Sequence, residues 1–481
     1  MAGQWSAGQS TGGSKMAGAP VEVASLLRPG RCAYFVERKK RFCKMVPAQG
    51  RHFCGEHSAE EEEHKRKRIP CPLDPKHTVY EDQLQKHLKK CNSREKPKPV
   101  YFAKDINAGL KNETELSEEQ QAPISALSKQ ELDNLIRKLK KASNTINYEL
   151  KDQILSHQAL QEALNDPQNG DAAFKHLKQQ ASILGNMKRL HLLGPGNCFV
   201  EFGAGRGKLS HWLDIALQDV QDVHFLLVER ASTRFKVDGK HNKRYFERLQ
   251  VDIQHLCLSK VPLLMEKNLS LIGIGKHLCG AATDLALRCL VDTYVNSRAE
   301  EKEGPVTKRI KTDCPGQKHS KCAAENWSPI AGIVIALCCH HRCEWRHYVG
   351  QDFFTRVGLG PVEFNFFKRM TSWATCGMRE RRTETSRSGI QNKGQRNVDE
   401  HDQDNINTDC SLDSLQGLLT VDERKQIGHL CKLLIDHGRI EYLQRRGYEA
   451  ELQRYTDSSV SLENVLLTAV PSQSSLSSII T

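Results

Sequence analysis

The sequence predicts an α/β domain that follows two small metal-binding modules and a helical segment. Three observations support this architecture. Residues 198–215 pass from a short apolar run through a glycine-rich turn into an amphipathic stretch, a pattern typical of a strand, a tight turn and a helix. Further apolar runs alternate with helical patterns toward the carboxyl end of the chain, as in sheets that are covered by helices. Clusters of cysteine and histidine lie near the amino terminus.

The glycine-rich turn contains Gly203, Gly205 and Gly207 and follows a strand predicted over residues 198–202. Glycine has no Cβ and adopts φ > 0 without strain, so a ligand can approach bare backbone at the start of the next helix. A second predicted strand ends in Glu229. A carboxylate there can accept hydrogen bonds from both hydroxyl groups of a ribose diol. These features favour a nucleoside-containing ligand over a turn that binds nothing.

Glu201 precedes the turn, and residues 201–207 resemble the S-adenosylmethionine loop of class I, Rossmann-like methyltransferases. The glycine spacing differs from the G-x-G-x-x-G of dinucleotide-binding folds. The resemblance implies that Glu201 or nearby backbone contacts the methionine end of this cofactor. It also implies that Glu229 binds the ribose and that Asp252 lies on the adenine side.

The methyltransferase domain is expected to span residues 170–472. Its further predicted strands are residues 223–228, 269–275, 330–337, 448–455 and 464–470, and its predicted helices include residues 172–192 and 421–446. Two polar stretches, residues 297–327 and 379–413, are expected to be disordered insertions. The preceding residues 127–166 show helical periodicity, which predicts an amphipathic, coiled-coil-like segment that packs against the domain.

The first metal-binding module is predicted over residues 25–60, after a disordered stretch of small polar residues, 1–24. Its candidate ligands are Cys32, Cys43, Cys54 and His57. Three thiolates and one imidazole complete a tetrahedral zinc shell. So small a module buries little apolar surface, and zinc would therefore supply folding free energy. Basic residues interleaved with aromatics at residues 34–42 suit RNA phosphates and unstacked bases.

The second module is predicted over residues 68–95, and a linker, residues 96–126, follows it. Its candidate ligands are Cys71, His77, His87 and Cys91. His87 and Cys91 are four residues apart, so on a helix both would face one ion. The pattern resembles the CHHC zinc finger that is also found in a minor-spliceosome RNA-binding protein. Two zinc ions are therefore expected in the whole chain.

Composition points to an intracellular protein with a polyanionic partner. The 481 residues carry a formal net charge of +12, and an excess of this size favours nucleic acid. The 17 cysteines are an odd number beside many histidines, which indicates reduced thiols and metal ligands. No stretch predicts a membrane span or a secretory signal. We expect location in the nucleus, the cytoplasm or both.

Candidate catalytic residues follow two predicted strands that end at the same sheet edge. They are Lys276, His277, His340, His341 and Arg342. A ribose hydroxyl is a poor nucleophile, so an enzyme must align it and remove its proton. Lysine or histidine could serve as the base, and arginine could hold a neighbouring phosphate. Purely structural roles are the alternative, such as a histidine that only hydrogen-bonds a loop.

Several segments together resemble one family, the eukaryotic tRNA 2′-O-methyltransferases that modify the fourth nucleotide of the acceptor stem. The matching segments are residues 31–43, the CHHC finger, and residues 200–207, 275–284 and 337–342. The resemblance implies S-adenosylmethionine-dependent ribose methylation of tRNA that carries C or A at this nucleotide. By the same resemblance the partners would be the acceptor stems of glycine, proline and histidine tRNAs.

Three other interpretations remain open. Cys338 or Cys339 could act as the nucleophile of a tRNA 5-methylcytosine methyltransferase, although no partner Cys-Pro motif is present. Residues 338–343 could supply a third metal site from Cys338, His340, His341 and Cys343. The chain could also be a zinc-finger RNA-binding protein whose methyltransferase domain is inactive.

Overall fold

The computed structural model describes residues 30–36, 41–54, 57, 67–91, 93–94, 97–109, 121–146, 149–231, 245–296, 329–375 and 418–472. The predicted disordered stretches 1–24, 297–327 and 379–413 lie outside these residues, as do residues 38–40 of the basic run. Contacts divide the chain into two compact units, Met1–Lys98 and Pro99–Thr481.

The first unit consists of short hairpins and one short helix. Strands β1 (Phe35–Val36) and β2 (Arg41–Phe42) pair antiparallel. Strands β3 (Arg68–Cys71) and β4 (Asp74–Tyr80) form a second hairpin, and helix α1 (Leu84–Leu88) follows it. Val79 is the one buried apolar residue besides cysteine in the described part of this unit. Apolar burial this small supplies little folding free energy, and in modules of this size a bound metal ordinarily supplies the rest.

The second unit is built on a mixed eight-stranded sheet, with strand order β5-β11-β12-β10-β9-β6-β7-β8. Strands β8, β7, β6, β9 and β10 run parallel, while β12 is antiparallel to both β10 and β11. The strands are β5 (Lys151–Asp152), β6 (Asn197–Phe202), β7 (Val223–Val228), β8 (Tyr245–Leu249), β9 (Ser270–Leu278), β10 (Ile330–Leu337), β11 (Tyr448–Arg454) and β12 (Val465–Pro471).

Helices cover the sheet on both faces. Along β6, Cys198, Val200 and Phe202 belong to one buried apolar cluster, and Phe199 belongs to another. Alternate residues of a strand face opposite sides, so the central strands are buried on both faces, as expected for a parallel sheet. The helices are α2 (Lys129–Ser143), α3 (Gln161–Asn165), α4 (Asp171–Arg189), α5 (Lys208–Ala216), α6 (Pro262–Glu266), α7 (Ala282–Arg288), α8 (Gln351–Arg356), α9 (Pro361–Met370) and α10 (Val421–Gln444).

The helical segment predicted over residues 127–166 differs from expectation. Helix α2 begins at the capping box of Ser128 and Glu131, and its buried leucines pack in a cluster with α8, α9 and α10. The packing prediction is therefore confirmed, but the helix ends at Ser143. The chain then becomes extended, and β5 pairs with β11. Tertiary contacts override the helical pattern here, since the Leu155 amide donates to Ser182 Oγ at 3.1 Å.

No helix in the described part of the chain is long and apolar enough to cross a membrane.

Candidate active site and metal centres

The glycine turn between β6 and α5 has three left-handed glycines. The φ angles are 61° at Gly203, 48° at Gly205 and 70° at Gly207. A Cβ at Gly207 would lie 2.8 Å from Leu227 Cδ2, and one at Gly203 would lie 3.0 Å from Leu278 Cδ2. At Gly205 a Cβ would meet no heavy atom within 4 Å. Two of the glycines therefore allow close packing, while the middle one borders open space.

Glu229 lies at the end of β7 beside this turn. Its Oε2 accepts a hydrogen bond from the Gly205 amide at 3.0 Å, and its Oε1 accepts one from the Ala231 amide at 2.9 Å. Arg248 of β8 donates to the Gly205 carbonyl oxygen at 2.8 Å. The carboxylate and the glycine backbone thus form one surface. Arg248, which sequence reasoning missed, stabilises the turn through its hydrogen bond to Gly205.

Asp252 follows β8 and completes this row of residues. It caps a 3₁₀ turn, since its Oδ1 accepts from the Gln254 amide at 3.0 Å, and the Arg230 guanidinium lies 3.8 Å from its Oδ2. The Glu229 amide donates to the Leu249 carbonyl at 3.1 Å, which joins the ends of β7 and β8. The glycine turn, Glu229 and Asp252 therefore follow three neighbouring parallel strands at one edge of the sheet.

Glu201 is buried at 4% exposure within β6, where it accepts hydrogen bonds from the amide and the hydroxyl of Ser210 in α5. Burial raises the pKa of this carboxyl to about 7, against the opposing effect of the Ser210 hydrogen bonds and of the nearby Arg248 and Lys276. Glu201 thus joins the strand to the helix across the glycine turn and changes charge near neutral pH.

Replacing Glu201 with glutamine should remove a pH dependence of stability. Because the folded-state pKa is raised, the carboxyl contributes stability that is fully present below about pH 4.5 and is lost as pH rises through 7. The difference in unfolding free energy between Glu201→Gln and the unsubstituted chain should change by up to about 3 kcal/mol over this range. Urea denaturation at several pH values measures it. Parallel curves for the two proteins would contradict the shift.

Lys276 and His277 lie near the carboxyl end of β9. They lie beside a histidine of helix α4, His176, which sequence reasoning missed. His277 is exposed and has φ 67°, and the pairing of β9 with β10 shifts register beside it. Lys276 Nζ lies 3.0 Å from Nδ1 of His176 in α4, and the His176 ring lies 6.1 Å from that of His277. The strained backbone turns His277 outward at the sheet edge, as bulges near active sites do.

The segment after β10 separates the remaining candidates by burial. Arg342 is exposed and His341 half-buried. Burial and the neighbouring Arg342 lower the pKa of His341, so its imidazole is mainly neutral near pH 7. His340 is only 3% exposed, and its Nε2 lies 2.8 Å from Asp436 Oδ1. The structure therefore favours a structural role for His340 over direct contact with a substrate.

A buried ion network holds this segment from beneath. Arg439 of α10 is 2% exposed, and it donates to Asp284 Oδ1 at 3.1 Å, to Asp284 Oδ2 at 2.7 Å and to Asp436 Oδ1 at 2.8 Å. Although burial raises the pKa of Asp436, His340 and Arg439 hold it below its usual range. Arg439 also donates to Cys343 Sγ at 3.3 Å. Cys343 and His340 are therefore engaged in the interior, and the four ligands considered above, Cys338, His340, His341 and Cys343, do not come together as one metal site.

In the CCCH module the four predicted ligands converge. Cys32 Sγ lies 3.5 Å and Cys54 Sγ 3.3 Å from His57 Nδ1, and the Cys43 and Cys54 sulfurs are 3.9 Å apart. Tyr34 stacks on the His57 ring with centroids 3.9 Å apart. Ligands of one tetrahedral zinc ion have such separations, since each would lie about 2.0–2.3 Å from the metal.

The CHHC module assembles its ligands from a hairpin and a helix. Cys71 Sγ lies 3.8 Å from Cys91 Sγ, and the His77 and His87 Nε2 atoms are 3.1 Å apart. His77 Nδ1 lies 3.7 Å from Asp74 Oδ2, which orients the imidazole from outside the shell. Helix α1 ends at Leu88, so Cys91 follows in a turn instead of lying on the helix with His87. The four residues still converge.

Comparison with known proteins assigns the α/β domain to a methyltransferase family. The family model described as "Methyltransferase TRM13" matches residues 178–470. The chain belongs to the TRM13 methyltransferase family. Two further family models match, "CCCH zinc finger in TRM13 protein" at residues 30–58 and "U11-48K-like CHHC zinc finger" at residues 68–92. The two metal-binding modules of this TRM13 family member are therefore zinc fingers of the predicted types.

Relatives in the TRM13 family cover nearly the whole chain. Proteins described as "tRNA:m(4)X modification enzyme TRM13 homolog" are 62% identical in Mus musculus and 63% identical in Homo sapiens, each over 93% of this chain and 95% of the relative. The Schizosaccharomyces pombe "tRNA:m(4)X modification enzyme TRM13" is 31% identical over 84% of this chain and 95% of its own length. No solved structure matches the chain.

Loss of one ligand should unfold the CHHC finger without unfolding the methyltransferase domain. In Cys71→Ser we expect the amides of residues 67–91 to lose protection from hydrogen exchange. Metal binding supplies about 10–16 kcal/mol in such peptides, and little apolar burial remains to replace it. Protection in β6 and β9 should stay unchanged. Leu73→Ala, at a position 43% exposed in the same hairpin, is the control. Retained protection in Cys71→Ser would contradict metal-dependent folding.

Proposed function

We propose that this chain transfers a methyl group from S-adenosylmethionine to the ribose 2′-hydroxyl of the fourth nucleotide, C or A, in the tRNA acceptor stem. The observation that carries the proposal is the row formed by the glycine turn, Glu229 and Asp252 at the carboxyl edge of a methyltransferase-family sheet. The names of the relatives, tRNA:m(4)X modification enzymes, support tRNA as the substrate.

The strand order supports a class I, Rossmann-like domain. From β8 through β7, β6 and β9 to β10, the parallel strands follow the doubly wound order 3-2-1-4-5. The order reverses between β6 and β9, and ligands of open α/β sheets bind in the crevice beyond the strands at such a point. The glycine turn and Lys276 lie there. The antiparallel pair β11 and β12 fits the terminal strand pair of methyltransferase sheets.

The residues at this edge fit the cofactor. S-adenosylmethionine, when bound, supplies an electrophilic methyl group on a sulfonium centre. Glu229 would bind the ribose hydroxyls, Asp252 would face the adenine side, and open space at Gly205 leaves room for the ligand. Glu201 lies beneath the turn toward the methionine end. A nearby cationic ligand would favour its ionised form, because opposite charge lowers a carboxyl pKa.

The substrate hydroxyl must lose its proton as it attacks the methyl group. Lys276 and His277 lie at the switch point, and His176 contacts the Lys276 amine. The ammonium form of Lys276 would stabilise the developing alkoxide, and His277 or the neutral His341 would accept the proton. Exposed Arg342 would hold an adjacent phosphate and so fix the ribose. Different residues at the same edge of the sheet would thus remove the proton and align the ribose.

We infer that the two zinc fingers and the basic surface of α2 hold the duplex of the acceptor stem through its phosphates, by shape more than by sequence. The partners would be the glycine, proline and histidine tRNAs. On this basis tRNA affinity should fall at least about 10-fold between 50 and 200 mM salt, since each neutralised phosphate releases counterions. Fluorescence anisotropy measures this dependence. A flat salt response would contradict phosphate-based binding.

Digestion of methylated tRNA to nucleosides tests the reaction. With total tRNA and methyl-labelled S-adenosylmethionine, the label should appear in 2′-O-methylcytidine or 2′-O-methyladenosine. Lys276→Met should lower the turnover number at least about 100-fold with cofactor affinity unchanged, because losing one group that stabilises a developing oxyanion costs about 100- to 1,000-fold. Lys267→Met, near Asp222 and before β9, is the matched control. Label in 5-methylcytidine would favour a cysteine nucleophile, and bound cofactor without any transfer would favour an inactive RNA-binding protein.

A further inference from the structure

Three cysteines meet at the sheet edge outside both zinc fingers. Cys279 follows β9, and Cys338 and Cys339 follow the adjacent parallel strand β10. Their sulfur atoms all lie within 4.8 Å of one another, and those of Cys279 and Cys338 are 3.2 Å apart. All three side chains are half-buried, so solvent reaches the cluster while protein surrounds it.

Backbone contacts bring the two cysteine-bearing segments together. The Gly280 amide donates to the Cys339 carbonyl at 3.3 Å, where the turn after β9 crosses the segment after β10. Gly280 has φ 62°, and a Cβ there would lie 2.6 Å from the Arg342 carbonyl oxygen. Only glycine permits so close a crossing, and the crossing sets the two cysteine-bearing segments against each other.

The sulfur separations resemble those of the finger sites. The thiol pairs in the fingers are 3.9 Å and 3.8 Å apart, and tetrahedral zinc with Zn–S of about 2.3 Å sets its sulfurs about 3.8 Å apart. A shift of a few tenths of an ångström in the Cys279 and Cys338 side chains reaches that distance.

We propose that Cys279, Cys338 and Cys339 bind a third zinc ion, distinct from the two finger ions. Three soft thiolates select zinc over harder divalent cations. Among the described residues, no fourth cysteine, histidine or carboxylate lies within 4.8 Å of all three sulfurs, so an exchangeable ligand such as water would complete the shell. Three protein ligands with an exchangeable fourth position is the arrangement of a reactive zinc centre. The site does not depend on the proposed methyl transfer.

Zinc binding at these cysteines also bears on whether one of them can act as a nucleophile. Thiolates that are committed to zinc are no longer free nucleophiles, so an occupied site argues against the 5-methylcytosine mechanism. The competing chemistry is a disulfide between Cys279 and Cys338, in which the two thiols would release two protons and pass two electrons to an external oxidant. A metal-bound cluster stays reduced instead.

Metal counting on the full chain tests the proposal. After purification with excess zinc and a phosphine reductant, then removal of loose metal, plasma emission spectrometry should give three zinc ions per chain. Cys339→Ser should give two, and Cys43→Ser in the first finger should also give two. Cys431→Ala, at a buried cysteine of α10 outside the three clusters, should keep three.

Two results would overturn the site. The first is two zinc ions in the unsubstituted chain, which needs no variant and so does not depend on folding of a mutant. The second is three ions that all persist in Cys339→Ser, provided that Cys43→Ser loses one. In protein purified without reductant, a Cys279–Cys338 disulfide found by mass spectrometry together with two zinc ions would show that the cluster is a redox pair and not a zinc site. Cobalt substitution supplies an independent readout, since thiolate-to-cobalt absorption should fall in Cys339→Ser.

Discussion

Replacing Gly205 with aspartate should weaken S-adenosylmethionine binding about 100-fold or more, which is about 2.7 kcal/mol. The new side chain would extend into the open space beside the turn, where the ligand is expected. Its carboxylate would also stand close to Glu229, which accepts the Gly205 amide at 3.0 Å. Calorimetry of cofactor binding measures the loss. The unfolding transition should move little, since aspartate tolerates φ near 48° at a cost of about 1–2 kcal/mol.

Gly358→Asp is the matched control for this substitution. Gly358 has φ 76°, and a Cβ there would also meet no heavy atom within 4 Å, but the position follows α8 and lies far along the chain from the glycine turn. The two variants should lose similar stability, and only Gly205→Asp should lose cofactor affinity. Equal cofactor affinity in both proteins would show that the glycine turn does not hold the ligand.

Replacing Arg439 with methionine should cost about 3–5 kcal/mol of unfolding free energy. The substitution leaves Asp284 and Asp436 buried without their guanidinium partner, and an uncompensated buried charge is expensive. The same change should loosen the segment from Cys338 to Arg342, because His340 is held by Asp436. Chemical denaturation gives the stability, and hydrogen exchange over residues 338–349 gives the local effect.

Arg445→Ala is the control that distinguishes the loss of a buried ion pair from the loss of any arginine on helix α10. Arg445 lies on the same helix, pairs with Asp352 at 3.2 Å and with Glu441 at 2.7 Å, and is 44% exposed. Exposed pairs contribute about 0–1 kcal/mol, so this variant should be nearly as stable as the unsubstituted chain. A comparable loss in both variants would mean that helix α10 responds to any removed arginine and that the buried network has no special weight.

Sequence reasoning succeeded where a local pattern determines the structure. Strand β7 was predicted as residues 223–228 and β10 as residues 330–337, and both match the observed bounds because fully buried strands are short unbroken apolar runs. The glycine turn was predictable for a similar reason, since three closely spaced glycines indicate positive φ angles. The two zinc fingers were predictable because their ligands cluster within short segments.

The rest depends on contacts between residues far apart in the chain. His176 meets Lys276 only because α4 packs beside the sheet edge, and Arg439 meets Asp284 across 155 positions. No spacing in the sequence indicates either pair. The helical segment predicted over residues 127–166 is interrupted because β5 gains a strand partner in β11. His340 shows the same effect, since its neighbours in sequence are accessible while its own side chain is buried against α10.

The position of the methyl group tests the central proposal most directly. Alkali cleaves RNA only where a free 2′-hydroxyl is present, so methylated tRNA should resist cleavage at a single additional position. With purified glycine, proline or histidine tRNA, we expect that position to be the fourth nucleotide of the acceptor stem, and we expect it to be absent with Gly205→Asp. Methylation with unchanged cleavage at every position would contradict ribose methylation, and protection at another nucleotide would contradict the proposed specificity.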